Sequence, residues 1–276
     1  MRSRTINKKL ILTALLLCSI STISANAAMT PQANTLYQEA CTLEYQHNSQ
    51  EAVAKLLEAI KIAGDEPMLY TKLAGIYTDT DDFDKAVEAY KKVIELRPND
   101  SFVYISLGNI YETQGKYSEA LLAYNEALKI FPEYKFNYLN IANVQYQMGN
   151  YDSAIENYNL FLSTYAQHTE ARKSLANAYL AAGNFENAAS EYEKLYTKNP
   201  QNFDNFVNYG LALFEIKNYE KAIEILEKAI EIDPESTASH VSLALAYQEL
   251  EKNEQAYEQY QVVFKQKPEL QYLRFD

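Results

Sequence analysis

The chain has 276 residues, 25 basic against 37 acidic, and is 47% hydrophobic with 7 Gly, 7 Pro, no Trp and 24 Tyr. So few helix breakers beside so much apolar material excludes a disordered or collagen-like chain and suits helices. The acidic balance leaves no basic face for nucleic acid or for an anionic membrane surface, and the length allows two ordinary domains or one elongated array.

Residues 1–27 read as a Sec-type signal peptide. Arg2, Arg4, Lys8 and Lys9 precede an apolar run from Leu10 to Ile20, and Ala25-Asn26-Ala27 forms an A-x-A cleavage signal. The run is too short to cross a bilayer core, which needs about 20 apolar residues in a helix. Leu17, just before Cys18, is bulky where a lipoprotein signal carries a small residue. Cleavage is expected after Ala27, with 28–32 as a short linker. The mature chain is therefore expected in the periplasm or cell envelope, or secreted.

Cleavage removes those four basic side chains and no acidic one, which leaves 21 against 37 and a formal charge of −16. Partners are expected to be neutral or basic proteins or peptides, without nucleic acid or membrane insertion. Only Cys41 remains, so no intramolecular disulfide forms.

From residue 33 onward the chain repeats every 34 residues. SLGNIYETQGKYSEA at 106 aligns with NIANVQYQMGNYDSA at 140 and SLANAYLAAGNFENA at 174. Seven units follow without insertion or deletion: 33–66, 67–100, 101–134, 135–168, 169–202, 203–236 and 237–270, with a tail at 271–276. The eighth position is always Ala or Gly, from Ala40 to Ala244. The twentieth is always Ala, from Ala52 to Ala256. Small residues there let two helices approach closely. Aromatics fill the spaces between: Tyr70, Tyr104, Tyr138 and Phe206 at position four, and Tyr90, Tyr124, Tyr158, Tyr192 and Tyr260 at position twenty-four.

The punctuation agrees with a helix pair per unit. Pro98, Pro132, Pro200, Pro234 and Pro268 at position thirty-two stop the second helix. Gly115, Gly149 and Gly183 mark the inner turn, and Asn150, Asn184 and Asn218 stand where they would cap the second helix. Arg172 replaces the aromatic at position four directly after the unit whose stop proline is Ala166, so an irregular joint is expected at 166–172. One unit alone exposes an apolar face that its neighbour must cover, so stability belongs to the stack.

These features resemble the tetratricopeptide repeat family over residues 33–270, and units 101–134 meet its pattern almost completely. The resemblance implies an all-α, right-handed α-solenoid of seven helix-turn-helix repeats. Its concave wall is lined by first-helix positions two, five, six, nine, twelve and thirteen. Position nine carries Asn109, Asn143 and Asn177, and position six adds Asn140 and Asn208. Amides donate and accept, so such a ladder suits an extended peptide backbone. Asn is also common at these positions in the family, and wall-to-wall hydrogen bonding would explain it equally.

Lys173, Asn177 and Asn208 match three positions of the family's carboxylate clamp, but Ala238 and Ser242 stand where the clamp needs basic residues. Phe102, Phe136, Tyr146 and Phe214 are expected to face the groove as apolar anchors, or else to pack between first helices.

No metal or cofactor is expected. Asp79, Asp81, Asp82 and Asp84 fail the calcium-loop spacing, because Phe83, Asp84 and Tyr90 occupy the places of a ligand, a glycine and a glutamate. His47, His168 and His240 are scattered singly. No nucleophile motif or phosphate loop is present, so the chain reads as a non-catalytic scaffold that holds a segment of a partner protein. The alternative is a structural protein that assembles with itself through the repeat ends, since only QYLRFD follows Leu270 where many family members carry a further polar helix.

Overall fold

The computed structural model describes residues 29–200 and 205–269. The expected signal peptide and the 271–276 tail lie outside the described residues. Among the described residues all regular structure is helical. The fourteen helices are α1 Pro31–Tyr45, α2 Ser49–Ala63, α3 Pro67–Asp79, α4 Phe83–Leu96, α5 Ser101–Thr113, α6 Tyr117–Ile130, α7 Phe136–Gln147, α8 Tyr151–Thr164, α9 Thr169–Ala181, α10 Phe185–Lys198, α11 Phe206–Glu215, α12 Tyr219–Ile232, α13 Thr237–Glu249 and α14 Asn253–Gln266. They form two compact units, α1–α6 up to Pro132 and α7–α14 from Glu133.

Within each unit every odd-numbered helix packs on the next even-numbered one, and each pair packs on its successor. The small positions make this possible. The seven alanines at position twenty are buried. A Cβ added to Gly108 would lie 2.4 Å from Tyr124 Cε1, and one added to Gly210 would lie 2.5 Å from Leu226 Cγ. The side chain at position twenty-four therefore rests directly on the backbone of position eight.

In the first unit the core runs from Leu36, Leu56 and Leu69 to Val93, Leu107 and Ile110. In the second it runs from Phe161 and Leu175 to Tyr209, Leu226 and Leu243. Leu69, Leu73 and Ile76 are buried, but the corresponding residues of α1 are Thr35, Glu39 and Thr42, and Glu39 pairs with Lys55 at 2.7 Å. The outer face of the first pair is thus polar, as a terminal repeat requires.

The inner turns follow one rule more strictly than their sequences. Position fifteen is left-handed in all seven units: Gly115, Gly149 and Gly183, but also His47, Asp81, Lys217 and Glu251, with φ between 56° and 77°. The next residue closes the helix onto a carbonyl five residues back, as in Lys116 N–H to Tyr111 O at 2.8 Å and Lys252 N–H to Tyr247 O at 2.9 Å. The expected asparagine caps are partial. Asn184 accepts from Asn187 N–H at 3.4 Å, whereas Asn150 and Asn218 make no side-chain cap bond. The closing bond already fixes the entry to these helices, so the cap adds little.

The joint at 166–172 also differs from expectation. Helix α8 ends at Thr164, in register with the units that carry the proline, and the division between the two units falls after Pro132 instead. Arg172 explains the regularity: its Nη2 donates to the Ala166 carbonyl at 2.7 Å and its Nη1 to Glu191 at 2.5 Å. His240, the other polar residue at position four, does the same work, with Nε2 3.0 Å from the Pro234 carbonyl and Nδ1 2.7 Å from Gln259.

Candidate functional site

The position-nine asparagines share one arrangement. Tyr158 donates to Asn143 Oδ1 at 2.8 Å and Tyr192 to Asn177 Oδ1 at 2.5 Å, while the single hydroxyl proton of Tyr124 is shared between Asn109 Oδ1 at 2.6 Å and the Glu112 carboxylate at 2.8 Å. Each tyrosine comes from the second helix of the same pair and passes over the small residue at position eight. Its ring is buried there, and its hydroxyl emerges beside position nine. Small eight, asparagine nine and tyrosine twenty-four are one device. Where its parts are missing the device changes: Tyr90 has Gly75 at position nine, and Tyr260 bonds Gln248 at 2.5 Å.

This arrangement polarises the amides. With Oδ1 engaged from behind, Asn143 and Asn177 present their two N–H groups as their remaining capacity. Asn109 is exposed, and Asn143 and Asn177 are half-buried. Asn208 Nδ2 also donates to Asn177 Oδ1 at 3.2 Å, linking α11 to α9. Burial pushes the Tyr124 hydroxyl well above its ordinary range, with the Glu112 carboxylate 2.8 Å away adding to the shift. Burial does the same for Tyr192. Both stay protonated donors at neutral pH.

The remaining expected residues divide. Asn109 and Phe102 lie in the first unit; Asn140, Asn143, Lys173, Asn177 and Asn208 lie in the second, all half-buried there. Phe102 is 57% exposed and meets Phe131 edge-on at 6.4 Å. Phe136 does not stand free in a groove. It sits in an aromatic cluster with Phe161 at 5.1 Å, Tyr165 at 5.0 Å and His168 at 6.4 Å, because α8 carries Phe161 where other second helices carry Val93, Ala127, Leu195, Ala229 and Val263, and Tyr165 follows directly at its C-terminal cap. Tyr146 packs on Tyr151 at 5.4 Å and Phe214 on Tyr219 at 5.4 Å, so each is half-buried across its own inner turn.

The sequence reading missed an ionic set in the first unit. Lys72 pairs with Glu44, and Asp79 is held above the usual carboxylate range by partial burial and the Glu44 charge, against the pull of Lys72. The signal was available at positions six, twelve and thirteen of the first two units. Asp82 pairs with Lys85 at 2.5 Å and Asp81 takes the left-handed turn position, so neighbouring acids of the rejected calcium loop serve the turn. Among the described residues no group of three or more His, Cys, Asp or Glu is placed to hold a metal ion, and no helix is long and apolar enough to cross a membrane.

Family models described as tetratricopeptide repeat match residues 65–133, then 139–203 and 174–237, then 213–274. No curated protein matches significantly. Among solved structures, a tetratricopeptide repeat protein from Parabacteroides merdae ATCC 43184 is 16% identical, covering 86% of this chain and 93% of its own, with a TM-score of 0.62. YrrB, described as having an unusual peptide-binding site, is 24% identical over 67% of this chain and 95% of its own, with a TM-score of 0.60. PilW, a type IV pilus biogenesis factor, is 19% identical over 78% of this chain and 99% of its own, with a TM-score of 0.57. At these identities the structures speak for the fold. With helix pairs at a 34-residue period and family matches along nearly all of the repeat region, the chain belongs to the tetratricopeptide repeat family.

Proposed function

We propose that this chain is an exported, non-catalytic scaffold that holds an extended segment of a neutral or basic partner protein along its first-helix faces. The observation that carries the reading is the tyrosine-to-asparagine bond in three successive units. In the second compact unit it leaves the amide N–H groups of Asn143 and Asn177 held in place as donors, and such donors suit the carbonyls of an extended chain. Lys173 and Asn208 extend the donor set in the second unit, and Phe102 supplies an exposed ring in the first. That YrrB is described as a peptide-binding repeat protein supports the class of partner. The N-terminal leader supports export, and the absence of catalytic motifs supports a binding role.

The test is a crosslinking pull-down from the native envelope with the mature chain, beside variants Asn143→Asp with Asn177→Asp. Aspartate keeps an oxygen for the tyrosine and removes the two N–H donors, so the fold is retained. Loss of a specific partner from the folded variant is the expected result. Equal capture by both proteins overturns the donor reading.

Self-assembly is a second reading favoured by one observation. Tyr257 on α14 is 62% exposed, whereas Ile223, its counterpart one unit earlier, is 8% exposed. A strictly monomeric sedimentation profile at high concentration counts against it.

A further inference from the structure

We propose that a notch at the start of α9, unrelated to the first-helix asparagines, is an oxyanion site for a phosphate-class ligand. The notch is about 210 Å³ and is lined by Gln167, Thr169, Arg172, Lys194, Leu195 and Lys198, with Ala166 at its edge. It exists because the sequence breaks its own pattern here. The equivalent of Arg172 one unit later is Phe206, whose ring is buried in the core. Arg172 turns aside to the Ala166 carbonyl and Glu191, and among the described residues that line the notch there is no ring.

Three cations line this notch and one carboxylate serves them. Glu191 takes Arg172 on one oxygen at 2.5 Å and Lys194 on the other at 2.6 Å. Among the described residues Lys198 meets only neutral oxygens, Gln167 Oε1 at 3.2 Å and the Gln167 carbonyl at 3.4 Å. Among the described residues that line or pair at the notch, three cations and one carboxylate leave a surplus of two positive charges, in a chain whose net charge is −12. Such a concentrated surplus attracts an anion, and these cations line a volume open to solvent.

The charge and donor set select the ligand. Thr169 contributes a hydroxyl and begins the 13-residue helix α9, where His168 Nδ1 accepts from Ala171 N–H at 3.1 Å and the amides of Thr169 and Glu170 precede any intrahelical bond, with the Glu170 carboxylate in the same first turn. A phosphate monoester carries roughly −1.5 to −2 at neutral pH, which matches the surplus, whereas a carboxylate matches half of it. Tetrahedral oxygens also suit donors arriving from α9, α10 and the turn before α9. The group can be free inorganic phosphate or a phosphoryl group borne on another molecule.

The experiment follows backbone amide shifts of the mature chain during titration with inorganic phosphate, O-phosphoserine and acetate at constant ionic strength. The expected result is saturable shifts confined to residues 166–172 and 194–198 with both phosphates, and none that saturate with acetate. Lys198→Gln is expected to weaken binding by about tenfold or more. Lys194→Gln is the second variant, and circular dichroism checks that both fold. Tighter binding of inorganic phosphate assigns the site to the free ion, and tighter binding of O-phosphoserine assigns it to a borne group. Absence of saturation at these residues, equal affinity in both folded variants, or saturable acetate binding of the same strength each overturns the proposal.

Discussion

Arg172 donates to the carbonyl of Ala166 at 2.7 Å, so the two residues that depart from the repeat pattern at this joint are bonded to each other. Its other nitrogen holds Glu191, and the same pair of positions in the last unit is His240 with Gln259. Both polar residues at position four thus meet a polar residue at position twenty-three, whereas Tyr70, Tyr104 and Phe206 go with Ala89, Ala123 and Ile225, and Tyr138 goes with Asn157. Arg172→Ala is expected to cost about 2 kcal/mol in urea unfolding, since the pair is largely buried. Arg172→Phe combined with Glu191→Ala is expected to recover most of it. An additive double-mutant cycle would show that the two residues act independently.

The tyrosine-to-asparagine bond has a stability signature separate from any ligand. Asn143→Ala removes the acceptor used by the buried Tyr158 and is expected to cost about 1 kcal/mol, and Asn143→Asp clearly less. Thermal melts of the two variants, compared at one pH, distinguish these outcomes.

Left-handed backbone at Lys217 and Glu251 carries strain that glycine lacks. Lys217→Gly and Glu251→Gly are each expected to stabilise the protein by about 1 kcal/mol, and Gly149→Ala to destabilise it by a similar amount. Chemical denaturation midpoints at constant slope provide the check.

Gly108→Ala places a methyl group 2.4 Å from the rigid ring of Tyr124, which must shift against its own helix and its bond to Asn109. A loss of about 1–3 kcal/mol is expected. The Ala at the same position beside Tyr158 and Tyr192 shows that the shifted arrangement exists, so the variant should fold.

Alkaline pH should unfold the chain steeply. Burial raises Tyr124 and Tyr192 above their ordinary values, so above about pH 10 the unfolded chain loses protons that the folded chain keeps. Stability is fully present below that pH and falls as pH rises, by roughly 1.4 kcal/mol per pH unit for each tyrosine. Tyr247, raised to about 12 by burial and its bond to Glu227, adds to the fall. Stability titrations of Tyr124→Phe beside the parent should show a shallower slope above pH 10.

Much of the fold is local and was therefore legible. Alanine at position twenty, proline at thirty-two and glycine at fifteen report helix contact, helix end and left-handed turn directly, and the described helices keep that register. The site was legible only in part. Asn109, Asn143 and Asn177 stand out by period, but the hydroxyls that fix them come from residues 15 positions away on another helix. Phe136 was expected to face a groove or to pack between first helices, and the rings of Phe161 and Tyr165 hold it in a cluster that no single-helix pattern displays. His47, Asp81, Lys217 and Glu251 show the reverse limit, where the closing bond imposes a turn that the residue type opposes.

The sequence by itself determined the period, the number of units, the helix pair in each and the small residues that let the pair close, because each of these is written within one 34-residue span. Only the tertiary structure decided which face of each asparagine amide is occupied, how Arg172 repairs the joint it disturbs, and where a surplus of positive charge gathers in an acidic chain. These depend on side chains from different helices meeting at hydrogen-bond distance, and a residue's chemistry shows only which partners it accepts until packing selects one.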